Sequence, residues 1–225
     1  MKTIGIICAL ESELKRIREA LGGRPEQVGL YTFYTAGLGE KQVVAVQCGI
    51  GKVNAAACAQ MLISNFHADC IINSGVSGAL SDKLHIMDIV AATDVAYHDL
   101  YSGFLSGDYF PGADHFPADE RISSLAEKVC AEQGIACLRG RVVSGDQFVT
   151  DSTVKAKIIA DTQGMTTEME GAAIGHVCYL NKVPFAVIRC ISDGADDQGA
   201  TDFDTFVVHA AERCAKITLS LIERL

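Results

Sequence analysis

Seven runs of apolar, largely β-branched residues punctuate the chain, at 3–8, 30–36, 43–48, 69–75, 88–95, 139–145 and 185–192, each bounded by Gly or Asp. Most are continuous rather than alternating, which predicts strands covered on both faces. Between them, apolar residues recur at helical spacing over 10–21, 52–66, 119–133, 151–160, 170–182 and 203–225. Strands alternating with amphipathic helices predict an α/β fold: a twisted, mixed central sheet flanked by helices on both sides. GLGEKQ, between the second and third runs, reads as a hairpin, so the sheet is not purely parallel. There is no internal repeat, low-complexity stretch or Pro/Ser-rich linker, and residues 1–225 are expected to form a single domain.

Residues 97–118, YHDLYSGFLSGDYFPGADHFPA, break the pattern. They hold six of the fifteen aromatics and show no period, so they predict a long functional loop. Aromatics in such a loop need cover from the loop itself, a ligand or a second subunit. A self-packed surface loop is the plainest account; a subunit contact that also closes a pocket is the favoured one.

Composition narrows the partners. A net charge of -9 argues against nucleic acid or anionic membrane, since phosphate backbones are bound by positive charge. The nine cysteines form no C-x-x-C and lie mostly within apolar runs, as in FAVIRCIS. They read as small buried hydrophobes in a reducing compartment, and a cytoplasmic location is expected. The N-terminal apolar run is too short for a signal peptide, and no stretch of about 18 apolar residues suggests a membrane span. The six histidines show no metal-binding spacing, so no metal is expected.

Three acids stand in unexpected places. In ALESELKRIREAL, Leu10, Leu14, Ile17 and Leu21 make one helical stripe, and Glu13 lies about 60° from its centre at 100° per residue. Glu13 therefore borders the core just after the first strand, although an acid in a first helical turn is also explained by the helix dipole. In TTEMEGAAIG (166–175), a helix beginning near 169 places Glu170 within its apolar stripe and turns Glu168 to the far side, towards solvent or a neighbouring loop. A buried carboxylate needs a partner. Positions 173 and 174 offer only Ala and Ile, so the partner comes from elsewhere in the fold or from a ligand. Sugar hydroxyls suit an acceptor-only group. Asp193, in VIRCISDGADD, sits where a strand meets a Gly-containing turn. Alone it reads as a turn cap, but all three acids map to carboxyl ends of strands, where open α/β sheets bind ligands.

CGIGKVNAA (48–56) lacks Walker spacing, and no G-x-G-x-x-G follows the first strand, so neither a P-loop nor a dinucleotide cofactor is expected. NSGVSGALSD and VVSGDQF read as tight strand-end turns. Taken together, IGIICALESEL, CGIGKVNAA, IINSGVSGAL, VVSGDQFV, TEMEGAA and IRCISDGAD resemble the nucleoside phosphorylase/nucleosidase superfamily, most closely its bacterial methylthioadenosine/S-adenosylhomocysteine nucleosidases. The resemblance runs in order from residue 3 to about 224. It implies cofactor-free hydrolysis of an N-glycosidic bond in a small-molecule nucleoside, by a homodimer.

It also implies roles. Glu13 activates the attacking water, Arg189 helps to hold it, and Asp193, supported by Ser192, acts at adenine N7. Glu170 holds the ribose hydroxyls with Met169 packed on the sugar, and Glu168 is counted in the same substrate set. Phe148 stacks on the base, the Val149 backbone reads its edge, and Ile50 and Phe203 line the 5′ pocket. Phe104, Tyr109 and Pro111 reach over the partner subunit's pocket. Val76 stands where the pattern has a small or hydroxyl residue, with Ser77 one place later; both join the substrate set. Leu10 replaces a common methionine. Three alternatives remain open: a phosphorylase of the same fold, a nucleosidase for a larger 5′ group such as aminodeoxyfutalosine, and a non-catalytic nucleoside sensor. Acids at 11 and 13 disfavour phosphate, and a sensor has little need of a buried base.

Overall fold

The structure, a computed structural model, describes residues 2–225. Among these are ten strands and six α-helices. The sheet is built outward from β1 (Thr3–Cys8), which pairs in parallel with β4 (Lys41–Gln47) and β5 (Cys70–Ala79). The β3 strand (Tyr31–Leu38) folds back on β4 as the expected antiparallel hairpin, turning at Gly39, whose φ of 61° suits glycine. The edge is β2 (Arg24–Val28).

On the other side the sheet closes on itself, a feature the sequence pattern does not announce. Here β5 pairs with β10 (Phe185–Asp193), β10 with β6 (Ile89–Tyr97), and β6 with β8 (Cys137–Ser144). Then β8 pairs with β9 (Thr166–Glu168), and β9 returns to β5. A short β7 (His115–Pro117) adds to β6. The strands β2, β7 and β9 escape the hydrophobic pattern for a simple reason. They are short or edge elements: RPEQV is polar, largely exposed and carries a proline, which a sheet edge tolerates.

Alternation along β1 explains the layers. Ile4, Ile6 and Cys8 face one core, shared with α1 (Glu11–Leu21), α3 (Glu120–Glu132) and α6 (Gly199–Arg224). Ile7 faces the other, shared with α2 (Lys52–Phe66) and α5 (Gly171–Asn181). Both faces are buried, hence the unbroken apolar runs. A smaller cluster under α4 (Ser152–Thr162) joins Leu80, Val143, Val149 and Ile158. Asp151 caps α4 by accepting from the Thr153 and Val154 N–H groups at 2.8 and 2.9 Å.

All nine cysteines are free thiols, and all but Cys137 are buried. No helix among the described residues is long and apolar enough to cross a membrane. The 97–118 loop begins at the end of β6 and carries a 3-10 turn at Ser102–Phe104. Phe104, Tyr109 and Phe110 lie exposed on it, with Pro111 half-buried.

Candidate active site

The carboxyl ends of β1, β5 and β10 meet the start of α5 around a cavity of about 310 Å³. Its walls include all thirteen residues assigned above to catalysis and substrate binding, from Glu13 to Asp193. Phe104, Tyr109 and Pro111 are not among them. Ala9, Gly78, Gln147 and Thr167 line the cavity without having been singled out.

Glu13, on the first turn of α1, is 2% exposed. One oxygen, Oε2, accepts from the Ala9 and Leu10 N–H groups at 2.8 and 2.9 Å. Oε1 accepts from the Val76 N–H at 2.8 Å. Three bonds occupy three of the roughly four lone-pair directions of a carboxylate, leaving one for a ligand. Burial raises its pKa, opposed by the Arg189 charge and those three N–H groups. The net effect is a rise above the ordinary carboxylate range, which makes the group better able to take up a proton.

Arg189 is the cation at the centre. It is 1% exposed, midway along β10. Its Nη2 donates to Glu168 Oε2 and to Asn73 Oδ1 (2.5 Å) and lies 3.5 Å from Glu170 Oε2. Burial opposes the charge, but Glu168, Glu170 and Glu13 together hold the guanidinium firmly protonated.

Glu168 corrects an expectation. It does not turn to solvent or a loop; it is buried, bound to Arg189, and accepts from Ser144 Oγ and the N–H groups of Glu170 (3.0 Å) and Gly171 (2.8 Å). The helix starts at Gly171, so residue 168 is strand, and a helical count has no meaning there. Glu170 is the N-cap residue of α5 rather than a member of its stripe. Its Oε1 accepts from the Gly51 N–H at 2.9 Å, and Oε2 faces Arg189. Burial, then the charge of Glu168, pushes its pKa to about 8 against the pull of Arg189.

Asp193 ends β10, 2% exposed. Oδ1 accepts from the Ala195 N–H at 2.9 Å and Oδ2 from Ser192 Oγ at 2.8 Å. Burial raises its pKa despite both bonds, with Asp202 and Asp196 adding to the rise. A buried carboxyl with a raised pKa can act as an acid near neutrality. Across the mouth, the Phe148 and Phe203 rings stand edge to face, centroids 5.2 Å apart, with Phe148 47% exposed. The hydroxyl of Ser77 pairs with Thr166 Oγ1 at 2.7 Å, and Val76 supplies its backbone to Glu13.

Whole-chain comparison agrees with this geometry. The family model described as the phosphorylase superfamily matches residues 3–223. The chain belongs to the phosphorylase superfamily. Within that superfamily it is similar to the 5'-methylthioadenosine/S-adenosylhomocysteine nucleosidase of Treponema pallidum, 39% identical over 253 aligned positions that cover 99% of this chain and 93% of the relative. It is also similar to the solved structure of the corresponding nucleosidase from Neisseria meningitidis in complex with methylthio-immucillin-A, at 34% identity and a TM-score of 0.94, with both chains fully covered. A third similar structure is the futalosine hydrolase of Helicobacter pylori, at 31% identity and a TM-score of 0.94 over 100% of this chain and 98% of that one.

The glycines of NSGVSGAL have a structural reason in this superfamily member. A Cβ on Gly75 would overlap Arg189 Nη1 and lie 2.5 Å from Glu13 Oε1. One on Gly78 would lie 2.7 Å from Asp193 Oδ1. Both glycines let charged side chains approach the β5 backbone. Gly75→Ala is expected to lower kcat on the order of a hundredfold by displacing the Glu13 and Arg189 side chains. It should also lower the melting temperature, since buried charges lose their partners. Steady-state kinetics beside a thermal melt checks both.

Proposed function

We propose that the cavity hydrolyses the N-glycosidic bond of 5′-substituted adenosines, 5'-methylthioadenosine and S-adenosylhomocysteine first among them, releasing adenine and the 5-substituted ribose. The observation that carries this reading is the charge of the cavity. Glu13, Glu168, Glu170 and Asp193 line it with one cation, Arg189, which Glu168 and Glu170 already engage. A phosphate nucleophile needs free positive charge and donors; water needs a base, and Glu13 has one lone-pair direction to spare.

In the reaction, Asp193 gives its proton to adenine N7 as the C1′–N9 bond breaks and its electrons move into the base. The sugar passes through an oxocarbenium-like state. Glu13 takes a proton from water as its oxygen bonds to C1′, with Arg189 helping to hold that water. Glu170 accepts from the ribose hydroxyls, with Met169 against the sugar. Phe148 stacks on adenine and the Val149 backbone reads its edge. Ile50 and Phe203 line the 5′ end. We further infer a cytoplasmic homodimer acting in methionine salvage, in which Phe104, Tyr109 and Pro111 of one subunit cover the other's cavity. The exposure of Phe104 and Tyr109 supports that reading.

A larger 5′ group is the one rival the comparisons favour, because the futalosine hydrolase shares the fold. Adenine release from methylthioadenosine in phosphate-free buffer, with and without added phosphate, tests the proposal. Equal release in both is expected. Release only with phosphate would make the chain a phosphorylase. No release in either would direct attention to a larger 5′ group or a binding role.

Glu170 gives the binding step a pH dependence. Its pKa is raised from 4.5 to about 8, so the folded chain binds this proton more tightly than the unfolded chain. The stability it contributes is present below the unfolded pKa and lost as pH rises through the folded one. Two ribose hydroxyls donating together are met best by the ionised, acceptor-only form. KM for the nucleoside is therefore expected to fall as pH rises from 6 to about 9, through the raised pKa. In Glu170→Gln it should be higher and flat over that range. A pH series of KM for both proteins checks this; a wild-type KM independent of pH would remove Glu170 from the diol.

A further inference from the structure

Residues 194–198 leave Asp193 and lead into α6. The first turn of α4 touches this loop twice, from outside the cavity. Lys155 Nζ donates to the Gly194 carbonyl at 2.7 Å and lies 3.9 Å from the Asp196 carboxylate, with its side chain about four-fifths buried. Ser152 Oγ donates to Asp197 Oδ2 at 2.7 Å.

The loop is tightly wound. Ala195 is fully buried at a φ of 50°, a left-handed conformation that residues with a Cβ avoid. A Cβ on Gly194 would lie 2.5 Å from Asp196 Oδ2. A residue held in an unfavourable conformation needs surroundings that over-determine it. Here the strained residue is the one whose N–H binds Asp193 Oδ1. An N–H can only donate, so Oδ1 must accept, whereas the hydroxyl of Ser192 beside Oδ2 can donate or accept. The loop thereby fixes Oδ2 as the oxygen that carries the transferable proton.

We propose that Lys155 is a positioning residue for Asp193, its ammonium holding the Gly194 carbonyl so that the Ala195 N–H stays on Oδ1 and the proton stays on Oδ2. This rests on the glycosidic-cleavage reading. Lys155 does not line the cavity, and its polar partners are the Gly194 carbonyl and Asp196 rather than Asp193, so its loss is expected to leave the substrate contacts in place and misalign the acid.

The test uses the full chain and methylthioadenosine, comparing wild type, Lys155→Met, Lys155→Arg and Ser152→Ala, each with a thermal melt. Lys155→Met is expected to lower kcat on the order of tenfold or more while KM stays within about twofold, because a misplaced acid costs transition-state stabilisation and not ground-state binding. Lys155→Arg, which can still donate to the carbonyl, should restore most of kcat. Wild-type kcat in Lys155→Met overturns the proposal, as does a loss that appears equally in KM or that arginine does not rescue. If Lys155→Met does not fold, Ser152→Ala decides: a kcat-only loss supports the brace and wild-type kcat removes it. A wild-type chain that releases no adenine from methylthioadenosine would instead fail the methylthioadenosine reading on which this proposal rests, and this proposal with it.

Discussion

Asp193→Asn is expected to lower kcat by about 10²–10⁴-fold, the range that loss of a general acid produces, with little change in melting temperature. Asn matches Asp in shape and can keep the acceptor bond from the Ala195 N–H to its amide oxygen. Its amide has no acidic proton to deliver. Adenine must then leave carrying unneutralised negative charge, which slows bond breaking while binding remains intact. The pH profile supplies a second mark. The wild-type carboxyl, raised by burial, is active while protonated, so kcat falls as pH rises through that pKa. In the Asn variant this limb disappears. Turnover near wild type would show that adenine leaves without help from Asp193.

Glu13→Gln is expected to have a comparable effect through the other end of the reaction. A glutamine keeps one acceptor oxygen but puts an NH₂ donor against N–H groups that Glu13 now accepts from. Two donors then face each other in a buried site, and the lone pair available to water is lost. Loss of a general base alone lowers kcat about 10²–10⁴-fold. The clash adds a measurable loss of stability, about 1–3 kcal/mol for a buried donor left unsatisfied. Kinetics and denaturant melts of the purified variant separate the two. A variant that hydrolyses normally would assign water activation to another group.

Much of the site is legible in the sequence because the chemistry requires residues that folding alone would not place there. Glu13 on the edge of an apolar stripe and Asp193 at the end of an apolar strand each carry a desolvation cost that a packing role would not explain. Glu168 is misread because the helical period is extended across a strand of three residues, too short to show a period of its own. The supports of the site are harder to see. Asn73, beside Ser74 in β5, and Ser144, the last residue of β8, are fully buried polar residues with no periodicity to mark them. Their partners, Arg189 at 116 positions' distance and Glu168 at 24, become neighbours only through strand pairing. The closure of the sheet through β9 and β10 is hidden for the same reason. Pairing of β5 with both depends on register and twist, which local hydrophobicity does not encode.

The central claim is that water, activated at Glu13, takes the place that phosphate takes in a phosphorylase. The most direct measurement is a single-turnover reaction with methylthioadenosine in ¹⁸O-labelled water containing phosphate, with the sugar product analysed by mass spectrometry. The account predicts free methylthioribose with the label at its C1 hydroxyl. Unlabelled methylthioribose 1-phosphate would contradict it.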